Sequence, residues 1–405
     1  MVCERQALWI AAPQLAYAVT HQQLLYVDST RSAARRFLKS HIPLKRIIFH
    51  YATDREGSLG VWATQNQGRN LTPLLDGHPK QHVHIFRQQR VSDTLISQAE
   101  HLASQFLDIP PDRGAVVDLL QFATEAVQIA LRLLNDYRPK KLLIATQHNF
   151  LARALSVAAR QLRIPSIYIP HAPTANNLQY RDIPFNLALL RGVSDCNAYL
   201  EWGARRERLD VIGDVSWQLK SIGRGKQHPK SIVIAPSPWS GPRLEWFFSS
   251  VNIAVNYEHE VLPHPSNGLS EIRRLASKKA HVITGVRTVD YLSDEPRSVI
   301  AGGSGVTLEA LALGHSVVNL VPSDSPVNYL FQQSSLMNFV FDAQGLADAI
   351  RTQQDRWLPD STALRYADQW LAATGRQAVA NGREAIESEI DTTEWALDAW
   401  KEVVL

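Results

Sequence analysis

Short apolar runs rich in β-branched residues alternate with longer stretches of helical period along most of this chain. That alternation calls for parallel sheets covered by helices. In the first half the runs are Leu8–Ala11, Leu24–Val27, Arg46–Phe49, His82–Phe86, Lys141–Ala145 and Ser166–Ile169. The clearest unit lies between the last two. Lys141–Ala145 reads as a buried strand, Thr146 to Asn149 as a turn, Phe150 to Leu162 as an amphipathic helix and Ile164 to Pro170 as the next strand, which together make a βαβ crossover.

Val211-Ile212-Gly213-Asp214 closes this first region, and the polar stretch Leu219 to Lys230, with two glycines and four basic residues, reads as a linker. The alternation then restarts with Ser231–Ala235, Val255–Leu262, His281–Thr284, Ser298–Ala301, Ser316–Val321 and Phe339–Phe341, separated by helical segments such as Leu269–Lys279 and Thr307–Leu313. The expected fold is α/β, with two Rossmann-like domains facing across a cleft. The expected divisions are 1–218, a linker at 219–230, a second domain at 231–362, and C-terminal helices at 363–405 packed across both. The tryptophans of the tail, Trp370, Trp395 and Trp400, fall at helical spacing and read as packing residues.

A length of 405 residues suits two to three domains, and 45% hydrophobic with 20% charged residues excludes a disordered or fibrous chain. The net charge of +3 is too small to predict a nucleic-acid partner without a clustered patch. Cys3 and Cys196 have no partners at zinc or redox spacing, and the N-terminus lacks the basic head and long apolar core of a signal peptide. No stretch is long and apolar enough to cross a bilayer. The expectation is a cytoplasmic protein with at most peripheral contact at the inner face of a membrane.

The sharpest motif is Ala301-Gly302-Gly303-Ser304-Gly305-Val306-Thr307-Leu308-Glu309, in which a strand runs into a glycine-rich turn that opens a helix. Glycines admit a close backbone approach, Ser304 and Thr307 offer hydroxyls, and a helix start presents N–H groups, so the turn reads as a phosphate cradle. It lacks both the P-loop lysine and the dinucleotide G-x-G-x-x-G spacing. Glu309, one turn in, is placed to accept hydrogen bonds from a ribose diol. In Leu262-Pro263-His264-Pro265, prolines flank a histidine at the end of a strand, where its imidazole suits a phosphate or a leaving phosphate oxygen. In the first half, His171 follows a strand between Pro170 and Pro173, and Gln147, His148 and Asn149 follow the strand before it. Both loops fall at the carboxyl edge of one parallel sheet, the usual ligand edge of open α/β folds. A neutral His171 there suits a general base, and Gln147, His148 and Asn149 suit substrate binding. The sequence shows no Asp-x-Asp pair, His-x-x-x-His, G-x-S-x-G or kinase signature, and His78, His82 and His84 read as surface residues, so neither metal nor cofactor is expected.

Taken together, these residues resemble GT-B glycosyltransferases of bacterial surface-polysaccharide synthesis, the branch of CDP-glycerol polymerases and bacterial sialyl- and Kdo-transferases. Val193 to Gly203 followed by Val211-Ile212-Gly213 is also similar to the end of the first half in such enzymes. The resemblance implies that His264 contacts the donor phosphate, that Ser304, Gly305 and Thr307 surround it, that Glu309 holds the ribose and that His171 is the base. It further implies a metal-independent transfer of a sugar from a nucleotide donor, CMP-linked or of another pyrimidine, to a glycan or lipid-linked acceptor. Three alternatives share the pattern: a nucleotide-sugar epimerase or hydrolase on the same scaffold, a non-catalytic glycan or nucleotide binder, and an interaction protein using the Trp-rich tail.

Overall fold

The computed structural model describes residues 6–12, 47–50, 59–62, 74, 80–83, 92–104, 113–147, 150–175, 180–216, 231–265, 267–292, 295, 297–323, 329–334, 337–355 and 361–397. The chain forms two compact units. The first comprises 1–171, 177–216 and 376–405, and the second 172–176 and 217–375.

The first unit holds β1 (Ile47–His50), β2 (Leu59–Trp62), β3 (Lys80–Val83), β4 (Lys141–Ile144), β5 (Ser166–Tyr168), β6 (Leu187–Leu190) and β7 (Leu209–Val211). A parallel five-stranded sheet runs in the order β2-β4-β5-β6-β7, and β1 pairs antiparallel with β3. Leu142, Leu143, Ile144 and Ile167 are fully buried, as expected of strands covered on both faces. The helix Phe150–Gln161 joins β4 to the parallel β5, which is the βαβ crossover read from the sequence. Residues 6–12, expected to include a strand at Leu8–Ala11, are helical, with Leu8, Trp9, Ile10 and Ala11 all buried. A short apolar run has no period that separates a buried strand from a buried helix turn, and here packing chose the helix. Leu24–Val27 lies outside the described residues.

The second unit is one parallel six-stranded sheet of β8 (Ile232–Ala235), β9 (His259–Val261), β10 (Ala280–Val282), β11 (Ser298–Ala301), β12 (Ser316–Leu320) and β13 (Phe339–Val340), in the order β10-β9-β8-β11-β12-β13. The first three strands build outward from β8, after which the chain returns and builds outward from β11 on the other side. This is the doubly wound order, and its switch point lies between β8 and β11. The expected strand Val255–Leu262 is confined to β9, because the preceding helix, opened by Pro242, continues to Ala254.

The tail divides between the units. Trp370, at the end of the helix Ser361–Trp370, is buried among Phe331, Leu308 and Leu371 of the second unit. The helix Gly375–Glu387 packs on the first unit, where Lys141 at the start of β4 donates to the carbonyls of Ile386 and Ser388, completing the helix end. Trp395 stacks on Trp9 with centroids 4.9 Å apart, and Leu397 bridges Ile183. These tryptophans are core residues.

Candidate functional site

The loops following β8 and β11 flank the switch point, and the protein locks them together. Ser237 Oγ donates to the Gly302 carbonyl at 2.5 Å, and the Gly302 N–H donates to the Ala235 carbonyl at 3.0 Å. A Cβ on Gly302 would lie 2.6 Å from the Ser237 nitrogen, so only glycine fits there. Gly303 has φ +74°, and a Cβ there would lie 2.9 Å from Val321 Cγ1. At Gly305 the neighbour is Pro173, whose Cδ would be 3.3 Å from a Cβ. Each of these glycines lets the turn pack closely against the protein's own atoms.

Thr307, expected beside a phosphate, is turned toward the sheet. Its hydroxyl is fully buried and donates to Asn319 Oδ1 of β12 at 2.6 Å, so it ties helix to sheet and does not face a ligand. Ser304, Gly305, Val306 and Glu309 remain partly exposed along the turn and the seven-residue helix Val306–Ala312. Among the described residues, the N–H groups of Ser304, Gly305 and Val306 are paired with no backbone carbonyl.

His264 stands on the loop after β9, held by a residue that motif reading passes over. Asn267 Oδ1 accepts from the His264 N–H at 3.0 Å, and the Asn267 N–H donates to the His264 carbonyl at 2.8 Å. Asn267 Nδ2 donates to the carbonyls of Ser237 at 3.2 Å and Trp239 at 2.8 Å. One buried amide thus joins the loops after β9 and β8. Burial pushes the His264 pKa below its ordinary value, so its imidazole is neutral near pH 7. Ser237, Trp239 and Asn267 are functional candidates that sequence reading missed. The available signal was Pro236 to Gly241, a Ser/Pro/Gly turn between a buried strand and a helix opened by Pro242, the same placement as the glycine turn.

At the carboxyl edge of the first unit's sheet, the His171 Nδ1–H donates to the Ala145 carbonyl at 2.6 Å, leaving Nε2 as the basic nitrogen. Burial lowers the His171 pKa, the Ala145 carbonyl opposes that shift, and the charge of Arg191 adds to it. Arg191 pairs with Asp214, which accepts from the Ser216 N–H at 2.9 Å and hydroxyl at 2.6 Å. Gln147, expected to meet substrate, is fully buried and donates to the Tyr199 hydroxyl at 3.0 Å, so it braces the interior of its loop. His148 and Asn149 lie outside the described residues, as do His78 and His84, whereas His82 lies on β3. Among the described residues no group of three or more His, Cys, Asp or Glu is placed to hold a metal ion. No described helix is long and apolar enough to cross a membrane.

The sequence matches no protein-family model and no curated protein. Its fold, however, is shared with solved structures. An inferred UDP-N-acetylglucosamine 2-epimerase from Listeria monocytogenes aligns with a TM-score of 0.51 at 13% identity, over 81% of this chain and 96% of that one. UDP-N-acetylglucosamine 2-epimerase from Rickettsia bellii aligns with a TM-score of 0.50 at 13% identity, over 81% and 95%. UDP-GlcNAc 2-epimerase from Neisseria meningitidis, solved with UDP-GlcNAc bound, gives 0.49 at 15% identity over 81% and 97%. At these identities the likeness is one of fold: two α/β units with parallel sheets, of GT-B-like type.

Proposed function

We propose that this chain is an enzyme of nucleotide sugars, and that it rearranges or hydrolyses the sugar of a single nucleotide donor without needing an acceptor. The observation that carries the reading is the switch point between β8 and β11. There Ser237 and Asn267 tie together the loops after β8, β9 and β11, which carry Trp239, His264 and Ser304. Open α/β sheets of this strand order bind nucleotides at that edge. The fold shared with two solved 2-epimerases supports an epimerase or hydrolase over a transferase.

In this proposal the Ser304 hydroxyl and the neighbouring N–H groups receive the phosphates and Glu309 accepts from the ribose diol. His264, neutral at rest, hydrogen-bonds the oxygen on which charge grows as the bond to the sugar weakens. His171 is the proton acceptor, because its Nδ1–H is committed to Ala145 and its lowered pKa keeps Nε2 unprotonated at neutral pH. The pyrimidine donor that the resemblance implies stays part of the proposal, with UDP-linked sugars the first to try.

The second reading is the glycosyltransferase, favoured by the Gly-Gly-Ser-Gly-x-x-x-Glu-Ala turn and the His-Pro pair. Incubating the protein with UDP-N-acetylglucosamine alone in deuterated water separates the two. An epimerase exchanges a sugar C–H for deuterium and a hydrolase releases UDP, whereas a transferase turns over only once a glycan acceptor is added. A melting-curve screen against CMP, CDP, UDP, GDP and ADP tests binding. A nucleotide at 100 times its dissociation constant stabilises by about 2.7 kcal/mol, and Glu309→Ala should abolish most of the rise. If no nucleotide moves the melting curve, the reading falls.

A further inference from the structure

A buried side-chain amide next to the glycine turn has no acceptor among the described residues. Gln332 lies in the single 3-10 turn Leu330–Gln333, which follows β12 in the chain, and is only 2% exposed. Its Oε1 accepts from the Tyr329 N–H at 3.1 Å, half of a capping box that starts this turn. That bond fixes which way round the amide stands: a flip would set two donors face to face. Nε2 therefore points away from the cap, and it finds no acceptor among the described residues. What it approaches is Gly303, where a Cβ would lie 3.9 Å from it.

A buried N–H left without an acceptor destabilises the fold, and the cap needs only an acceptor, so stability alone does not call for a donor here. The groups around the turn share one character. Gln332 Nε2, the N–H groups of Ser304, Gly305 and Val306 and the Ser304 hydroxyl are all donors. A partner that suits them presents acceptors on several sides and no hydrogens, as a phosphate does.

We propose that Gln332 is a ligand-binding residue of the second unit, whose Nε2 donates to a phosphate oxygen of a diphosphate seated on residues 303–306. This rests on the nucleotide reading for the identity of the ligand, though the donor and its surroundings do not. Reaching Nε2 requires the turn to give slightly at Gly303, a movement that its positive φ and lack of a side chain permit.

The test compares full-length wild type with Gln332→Glu, which keeps the cap acceptor and replaces the donor by a negative charge. Affinity for UDP and for inorganic pyrophosphate is measured by calorimetry. In parallel, protein labelled with 15N at glutamine reports the Gln332 side-chain amide directly, whether or not the variant folds well. The expected result is at least a tenfold loss of affinity for both ligands in Gln332→Glu, and a shift of the Gln332 amide signal in wild type when either ligand is added. UDP binding that is equal in both proteins, with an unmoved amide, overturns the role of Gln332 and leaves the nucleotide reading standing. Pyrophosphate binding that shifts the amide, with UDP not bound, supports the role and removes the nucleotide reading. If neither ligand binds wild type, both are overturned.

Discussion

His315 shows how completely a single residue can be spoken for. Its Nδ1 accepts the Arg297 N–H at 3.1 Å and its Nε2–H donates to the Leu292 carbonyl at 2.8 Å, so the folded protein holds it neutral. Burial, opposed by the Leu292 bond and aided by the Arg297 charge, pushes its pKa down to about 4. The unfolded chain binds a proton at this site below about 6.5 and the folded one does not until about 4. Stability should therefore fall as pH drops through that window, by up to about 3 kcal/mol from this residue. His171 and His264 add slopes of the same sign. Urea denaturation at pH 7 and 4.5 should show the loss, and His315→Gln should show a smaller one. Sequence reading singles out His171, His264, Gln147 and Thr307 by residue type and loop position. It does not see direction: Gln147 in its loop and Thr307 in the first turn of its helix point inward, because a buried neighbour, Tyr199 or Asn319, offers each a partner. The same blindness hid Asn267 and Gln332, whose roles come from partners distant in sequence or absent.

At the scale of the element, the strands that were legible are the ones buried on both faces and bounded by turn residues. β11 occupies the expected Ser298–Ala301, and β4, β8 and β12 fall within a residue of their expected spans. The misreadings have different causes: Leu8–Ala11 is a short apolar run in which neither a period of 2 nor one of 3.6 is expressed, whereas Val255–Leu262 mixes apolar with charged residues and only its end, His259–Val261, pairs in the sheet. The glycine turn was legible as a strand-to-helix junction, but the reason for its glycines was not. Gly303 and Gly314 allow that reason to be measured. Both have positive φ, +74° and +87°, but a Cβ on Gly314 meets nothing within 4 Å whereas one on Gly303 meets Val321. Gly314→Ala should cost about 1 kcal/mol of backbone strain, and Gly303→Ala about 1–3 kcal/mol more from overpacking, both read from thermal unfolding. Equal losses would mean that Val321 yields at no cost.

For the whole molecule, the alternation of apolar runs conveyed two α/β regions and a tail packed across both, but not which residues of the tail go to which unit. Helical spacing of Trp370, Trp395 and Trp400 says that a face is apolar and is silent on what covers it. In the structure Arg208 pairs with Asp391 at 2.5 Å, Asn186 Nδ2 donates to the Glu394 carbonyl at 2.8 Å, and the guanidinium of Arg160 sits 4.9 Å from the Trp395 ring. A chain ending at residue 390 should thus lose several kcal/mol from the first unit, in line with the cost of removing a buried Trp and Leu, and leave the second unit unchanged. Two-probe unfolding, or proteolysis followed by mass mapping, distinguishes the units. A tail serving only as a docking peptide would leave both melting transitions where they are.

The pairing of Trp9 with Trp395 also imposes an order of events during synthesis. Trp9 leaves the ribosome before any of residues 217–375, and the ring that closes over it leaves after all of them. The first unit stays unfinished while residues 217–375 of its neighbour are translated, and its last packing step follows the synthesis of Trp395.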